Sequence, residues 1–393
     1  MLIHSQSSTP FPDSHISHSH ILHLAYMIPL VSVLLPTLNT RTYLQERLDS
    51  IRNQTLQNIE VIIADSYSDD GSWEILQKFA ASYPQVTLCV QIPRGLYQAW
   101  NFCIEKASGK YIYIATSDDS MAPYCLEEMV ASLEAHPECD LCDSMIRLID
   151  GDGNEIPEFD RKYIAHHWHT DSPRNVAHIR YAPYDYYYHL GGKTVYTSIT
   201  QLLIRRTLFK KTGLFPTDFG CSADYLWGLR AALHANVFFC PKKLASWRIH
   251  EDQATFSSCA EKINYNFTLM TQMAKLTLKE VPLNLLPSCE RTMRLISFKE
   301  ILLPAKRNKI SLFRKIHLLS RVLKKYPLLT IEFLFNISRF CWSIPRKFLL
   351  IYSYDKMIVH HAKKSIKENH IPPLKMVGMD LGSTASNNRN TTN

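Results

Sequence analysis

Cysteine pairs at disulfide or metal spacing are scarce in this 393-residue chain, and an uninterrupted apolar run of bilayer length is missing. Its ten cysteines are scattered, and Cys139 and Cys142 form a lone C-x-x-C with no second pair or nearby His-x-His to complete a zinc site. They read as reduced thiols of a cytosolic protein. The stretch Tyr326–Ile344 is apolar but broken by Glu332 and Arg339, short of the ~20 predominantly apolar residues that a transmembrane helix needs. The first 26 residues lack the basic start, apolar core and small-residue cleavage site of a secretory signal. Rich in Ser and His (His4, His15, His18, His20, His23), they are expected to form a disordered tail before Met27 and the first strand pattern. No DNA- or RNA-binding motif is present, so no nucleic-acid partner is expected.

What is present suits a large core. Hydrophobic residues make up 46% and charged residues 20%, which points to one large domain with an extension. The net charge of +8 is unevenly spread. Residues 1–290 carry 24 Lys+Arg against 31 Asp+Glu, a net of −7, whereas residues 291–366 carry 17 against 3, a net of +14.

From residue 29 strands and helices alternate. Leu30–Leu35, Ile59–Ala64, Val86–Val90 and Tyr111–Ala115 read as strands, the first two as buried parallel ones. Leu44, Leu48 and Ile51 recur at helical spacing, and Ser72–Tyr83 and Tyr97–Ala107 read as further helices. This alternation predicts a parallel sheet covered by helices, with ligands bound beyond the carboxyl ends of the strands. After a helix from Pro123 to about His136 the pattern loosens. Cys139–Ile149, Val195–Ile204 and Asn236–Phe239 read as strands, with a helix at Ala223–His234. Asp150, Asp152 and Asn154 resemble the start of a calcium loop, but Glu155 stands at the glycine position and Arg161 at the bidentate Glu position, so a plain turn is expected. Residues 160–192 are dense in aromatics, including His166, His167, Trp168, His169, Tyr184, Tyr186, Tyr187 and Tyr188. Such rings either stack on sugars or simply pack.

Several strand ends carry oxygen-bearing side chains. Asn39, Asp65 and the adjacent Asp118 and Asp119 all fall where a parallel sheet binds ligands. Two neighbouring carboxylates suit a divalent cation carrying a diphosphate, although acidic residues after a strand also make ordinary solvated turns. Asp69 and Asp70 read as turn and helix-capping residues before Gly71.

The order of six segments resembles family 2 glycosyltransferases. Val31-Ser32-Val33-Leu34-Leu35-Pro36-Thr37-Leu38-Asn39 is similar to the family's opening strand, and Val61–Ser72 to its second strand and aspartate-rich turn. Gly95–Asn101 resembles a helix start of members that build surface polysaccharides. Thr116-Ser117-Asp118-Asp119 corresponds to the "DxD" metal motif, with Thr116 where an acid is common. Phe219–Trp227 and Trp247-Arg248-Ile249-His250 are similar to the late acidic motif, with Ala223 in place of its first acid, and to the closing R-x-H.

The resemblance covers about residues 28–255 and implies the α/β GT-A fold, a Rossmann-like mixed sheet flanked by helices, here with a helical C-terminal extension. It also implies roles. Asp65 would accept from a uracil N–H in a nucleoside pocket with Pro36, Thr37 and Asn39, and Gly95 and Asn101 would help bind the nucleotide sugar. Asp118 would hold ribose or metal, Asp119 a divalent Mn or Mg ion, His250 that ion or the diphosphate, and Arg248 the diphosphate, with a buried ion pair to Asp224 as its structural alternative. Asp224 would be the general base of an inverting transfer; a helix-capping role is its structural alternative.

These readings divide the chain into a tail (1–26), a transferase domain (27–260), a basic helical region (261–375) and a second tail (376–393). The expected activity is metal-dependent transfer of a sugar from a nucleoside-diphosphate donor, UDP-linked by preference, to a saccharide or lipid-linked acceptor. The expected location is the cytoplasm or the inner membrane face. The alternative is a non-catalytic nucleotide-sugar- or glycan-binding protein of the same fold. For the basic region, a peripheral membrane anchor within 291–366 and a helical subdomain with a solvated basic face both remain open.

Overall fold

The computed structural model describes residues 28–93, 95–156, 175–191, 194–251, 271–302 and 346–377, with isolated positions between 317 and 331. The N-terminal tail, the 260/261 boundary, Arg161, the His166–His169 cluster, most of Tyr326–Ile344 and the chain beyond 377 lie outside the described residues.

Strands β1 (Val31–Thr37), β2 (Ile59–Asp65), β3 (Val86–Gln91) and β4 (Tyr111–Ile114) alternate with helices α1 (Arg41–Arg52), α2 (Ser72–Ser82) and α3 (Leu96–Lys106). They pair in parallel in the order β3-β2-β1-β4. The near-continuous apolar runs of β1, β2 and β4 follow from burial on both faces. Val31, Val33 and Leu35 point to the side covered by Leu44, Leu48 and Ile51 of α1 and Leu76 of α2. Leu34, Ile62 and Ile114 point to the opposite side, covered by Trp100, Cys103 and Ile104 of α3. Alternate residues thus feed two cores, as the period of a strand requires.

The chain crosses from β3 to β4 on the far side of β1, so the order reverses between β1 and β4. That reversal opens a crevice at their carboxyl ends. Beyond it the sheet becomes mixed. β5 (Ser120–Met121), α4 (Cys125–Ala135), β6 (Leu141–Ile149), β7 (His178–Arg180), α5 (Tyr184–Leu190), β8 (Leu202–Arg205), α6 (Ala223–His234) and β9 (Val237–Arg248) follow. β8 runs antiparallel to β4 and β6, β6 parallel to β9, and β7 antiparallel to β9.

Two strands differ from expectation. Val195–Ile204 is strand only from Leu202, because Ser198 and Gln201 form a capping box around a 3-10 turn at Ile199–Gln201. β9 runs on past Phe239 to Arg248, because the register slips between Ser144 and Ile146 and leaves Pro241 at a bulge. The turn expected at Asp150–Asn154 is present: Asp150 accepts from the backbone N–H of Asp152 (3.0 Å) and of Asn154 (2.8 Å).

Beneath this half lies a buried ionic knot. Arg180 bonds Asp143 at 2.6 Å and Asp185 at 2.9 Å, with every side chain at most 2% exposed. Burying these charges is tolerated because the one guanidinium pairs with both carboxylates. Tyr186, Tyr187 and Tyr188 of α5 are core residues and do not form a sugar platform. Their polar ends are used internally: the Tyr186 hydroxyl pairs with Thr277 (2.8 Å), and Asn369 donates to that of Tyr187 (3.1 Å).

Two further helices, α7 (Leu286–Leu302) and α8 (Arg346–Glu368), precede β10 (Lys375–Met376). β10 pairs antiparallel with β7 at the sheet edge, and Ala362 of α8 joins the α3-side core. The helical extension is therefore packed into the main body, not appended to it.

Candidate active site

A cleft of about 400 Å³ opens at the reversal point between β1 and β4. Its walls include Pro36 and Thr37 at the end of β1, Asn39 just after it, Trp100 on α3, Asp118 after β4, and His250 after β9. Chain segments more than 200 residues apart thus converge where the topology provides a crevice.

The β1 side is braced by polar residues. Asn39 adopts the left-handed conformation (φ 50°) that Asn tolerates better than most side chains. Its amide donates to Asp69 (2.9 Å) and accepts from the Asp69 backbone N–H (3.0 Å), zipping two loops together. Asp70 accepts from the backbone N–H groups of Arg41 and Ser72, both at 2.9 Å, and so caps two helix starts. Asp65 lies in the core behind this brace and not on the cleft wall. Ser68 donates its N–H (2.9 Å) and hydroxyl (2.5 Å) to it, and Gln91 its amide (3.1 Å). In this conformation the expected uracil acceptor is saturated by its own turn.

At the end of β4 the adjacent carboxylates separate. Asp118 reaches the cleft, with Oδ2 at 3.1 Å from His250 Nε2. The His250 ring packs 4.7 Å from that of Tyr43. Asp119 turns inward and is 2% exposed. Its Oδ1 accepts from the Arg248 backbone N–H at 2.9 Å, and its Oδ2 accepts a short hydrogen bond from Thr116 Oγ1. Burial, reinforced by Asp118 beside it, raises its pKa, while Arg47 opposes the rise. The expectation that Asp119 presents a metal ligand is corrected here: both its oxygens serve the loop. Thr116, in the place of a further acid, supplies one of those donors.

Arg248 is corrected in the same way. It is fully buried, and its guanidinium donates to the carbonyls of Asp118 (2.9 Å), Asp150 (3.0 Å) and Gly151 (3.1 Å) and to Glu46. It staples loops together and is not open to a diphosphate. Asn101 is structural too, exchanging hydrogen bonds with the backbone of Phe215 (2.7 and 3.0 Å). Gly95 lies at the start of α3, just before cleft-lining Leu96, and its carbonyl accepts from Ala99 at 3.0 Å.

Asp224 begins α6 beside the cleft, in a separate recess. Part of the residue is open to solvent, while desolvation of its carboxyl group by the protein packed around it pushes its pKa up to about 6. Hydrogen bonds from the Tyr225 backbone and the Tyr97 hydroxyl work against that rise. Tyr97 ties Asp224 to α3, whose Trp100 ring lies 5.1 Å from that of Tyr97 and walls the cleft. A carboxylate poised near neutrality beside a cleft can take up a proton.

Arg47 was not anticipated. Buried in α1, it donates to the Thr116 carbonyl (2.7 Å) and to Thr200 Oγ1 (3.1 Å), fixing the loop that carries Asp118. Its position on the same helix face as Leu44, Leu48 and Ile51 was its one signal.

Residues 32–213 match the family model described as glycosyl transferase family 2. Over that span the chain carries a domain of this family. Chondroitin synthase of Pasteurella multocida (strain Pm70) is 28% identical over 218 residues, covering 51% of this chain and 22% of the relative. The putative glycosyltransferase EpsH of Bacillus subtilis (strain 168) is 35% identical over 114 residues, 29% of this chain and 33% of the relative. The chain thus spans between about a fifth and a third of the length of these curated relatives. Among solved structures, S. aureus TarS 1–349 in complex with UDP-GlcNAc superposes with a TM-score of 0.56 at 17% identity, covering 86% of this chain and 92% of that one. That likeness bears out the GT-A fold expected from the motif order.

Proposed function

We propose that this protein transfers a sugar from a nucleoside-diphosphate donor, UDP-linked by preference, to a hydroxyl of a saccharide or lipid-linked acceptor in surface polysaccharide synthesis, with inversion at the anomeric carbon. One observation carries the reading. The cleft at the sheet's reversal point joins a polar β1 loop to the Asp118–His250 pair, and Asp224 is tied to the helix that walls it. The names of the matched synthases support a polysaccharide setting, and the UDP-GlcNAc bound by TarS supports the donor class.

Pro36, Thr37 and Asn39 would hold the nucleoside. Asp118 and His250 offer one oxygen and one nitrogen donor on the cleft wall. Among the described residues no group of three or more His, Cys, Asp or Glu converges, and Asp118 and His250 are the residues of this chain that would hold a Mn or Mg ion. Such an ion would supply Lewis-acid stabilisation of the departing diphosphate. Asp224 would accept the acceptor's proton as its oxygen bonds to the anomeric carbon. The bond from that carbon to the diphosphate breaks on the opposite face, which inverts the centre and releases the nucleoside diphosphate.

Peripheral contact with an anionic membrane, at the cytoplasmic face, completes the reading. No described helix is long and apolar enough to cross a membrane. Exposed Arg321, Lys324, Leu328 and Ile331 follow helical spacing and mix cations with apolar side chains on one face. Each such cation contributes ~1 kcal/mol near anionic lipid.

The deciding experiment incubates the full chain with a panel of nucleotide sugars and saccharide acceptors, with and without manganese, and measures nucleoside-diphosphate release. Acceptor-dependent release that requires the cation and disappears in Asp118→Ala is expected. Binding of a donor without turnover under any condition would favour the non-catalytic reading, to which the inward turn of Asp119 lends weight.

A further inference from the structure

A second, much smaller recess of about 20 Å³ lies against α6, and Asp224 lines it together with His189, Tyr196, Trp227 and Gly228. That is room for about one water-sized group, not for a sugar ring. His189 of α5 is 1% exposed, and neither of its ring nitrogens has a hydrogen-bond partner among the described residues. Burial keeps the imidazole neutral by pushing its pKa down to about 3, against a weak pull from the Tyr225 backbone, which lies near the ring without closing a well-formed hydrogen bond. A neutral imidazole offers one N–H donor and one bare nitrogen, and leaving both dry in a protein interior is costly.

The fold builds the ring's seat deliberately. The Tyr225 hydroxyl donates to the His189 carbonyl at 2.6 Å, and the two rings lie 4.6 Å apart. Gly228 makes room, since a Cβ there would come within 2.7 Å of His189 Cε1 and 3.2 Å of Nε2. The Cε1–Nε2 edge therefore faces a residue that itself lines the recess.

We propose that His189 is a positioning residue for Asp224: it holds one ordered water in this recess, and that water donates a hydrogen bond to the Asp224 carboxylate. The water satisfies an imidazole nitrogen on one side. On the other it fixes the oxygen of Asp224 that does not receive the acceptor's proton. The inference rests on Asp224 acting as the base. The groups facing Asp224 are the Tyr97 hydroxyl from α3, Tyr225 on its own helix, and Tyr196 and His189 around the recess. No charged side chain contributes to its titration, so the loss of one hydrogen bond is legible there.

The test compares the full-length chain with His189→Phe, His189→Asn and Asp224→Asn, following kcat against pH, donor KM and thermal midpoint. His189→Phe keeps the ring's bulk and removes its nitrogens. Losing a donor to a carboxylate raises its pKa, so the rising limb of kcat should move up by roughly one pH unit, a loss of about tenfold below pH 6, with donor KM unchanged. His189→Asn restores a donor and an acceptor and should recover most of the profile. A wild-type profile in His189→Phe at a wild-type thermal midpoint overturns the inference. If His189→Phe does not fold, a high-resolution crystal structure of the unmodified chain decides. A water within hydrogen-bond distance of both His189 and Asp224 upholds the inference, and a recess without one overturns it. Turnover persisting in Asp224→Asn would sink the base assignment itself. An inactive Asp224→Asn beside an unshifted His189→Phe would sink only the role of His189.

Discussion

The end of β2 and the end of β4 reach the same edge of the sheet, each carrying carboxylates, and they treat them differently. After β2, the turn itself supplies the hydroxyl and backbone N–H of Ser68, and β3 adds the Gln91 amide, so Asp65 is enclosed. After β4, the loop supplies donors for only one of its two carboxylates. Thr116 and the Arg248 backbone take Asp119, and Asp118 is left to the cleft and His250. The lesson is local: a carboxylate whose surroundings offer donors to both oxygens becomes part of the scaffold. One left short of donors at a crevice is available for a ligand. Asp224 tests the limit of that rule, because it receives two hydrogen bonds and yet stays open to solvent.

The largest effect is therefore expected at Asp224. Asp224→Asn should lower turnover by ~10²–10⁴-fold while leaving donor binding and the thermal midpoint in place, because it removes proton acceptance and little packing. Loss of donor binding instead would place Asp224 with the scaffold carboxylates. Its titration gives a second reading. A base must be ionised to act, and with a pKa raised to about 6 the rate should climb as pH rises through that value and level off above it. A flat kcat profile between pH 5 and 8, taken as a range of roughly one to two units about that midpoint, would contradict the assignment.

The pair Asp118 and Asp119 comes next. Asp118→Asn should weaken metal-dependent turnover with little change in stability, since its side chain faces the cleft. Asp119→Asn should do the reverse. Its amide oxygen can keep the Arg248 N–H while its NH₂ donates to the Thr116 hydroxyl, so charge-assisted hydrogen bonds become neutral ones at a cost of ~1 kcal/mol. Urea unfolding and metal-titrated turnover of both variants separate the two roles. Equal losses of turnover with unchanged stability would mean that Asp119 turns outward when donor binds.

Much of this was legible before any coordinates. The strands β1, β2 and β4 announce themselves because both faces are buried, and Pro36, Thr37, Asn39, Asp118 and His250, singled out by their motifs, line one cleft. What was hidden depends on distant partners. Nothing near Asp119 in the chain shows that a backbone N–H from residue 248 will claim it, 129 positions away. Nothing near Tyr186–Tyr188 reveals that Thr277 and Asn369 satisfy their hydroxyls and let the rings sink into the core. β9 ran longer than its pattern because a bulge absorbed Pro241, and the strand expected from Val195 was shortened by side chains that cap a turn. Local periodicity reports burial; it does not report which polar group a buried residue will find.

The smallest expected effect is the most instructive for that distinction. Asp65→Asn keeps one carbonyl oxygen able to accept from Ser68 or Gln91, but sets an NH₂ group where a second acceptor stood. With the oxygen on the Ser68 N–H and Gln91 side, the NH₂ can donate to the Ser68 hydroxyl, so charge-assisted bonds become neutral ones and the folded state should weaken by no more than ~1 kcal/mol. If Asp65 is scaffold alone, affinity for a uridine diphosphate should fall no further than the small distortion of the Asn39–Asp69 zipper requires. Calorimetry of the variant against the parent chain measures it. A tenfold or greater loss, with stability barely changed, would show that nucleotide binding opens the Ser68 turn and releases Asp65 to the base edge. The difference between the two strand ends would then be a property of the empty cleft, and the enclosed carboxylate would become the part of the site that moves.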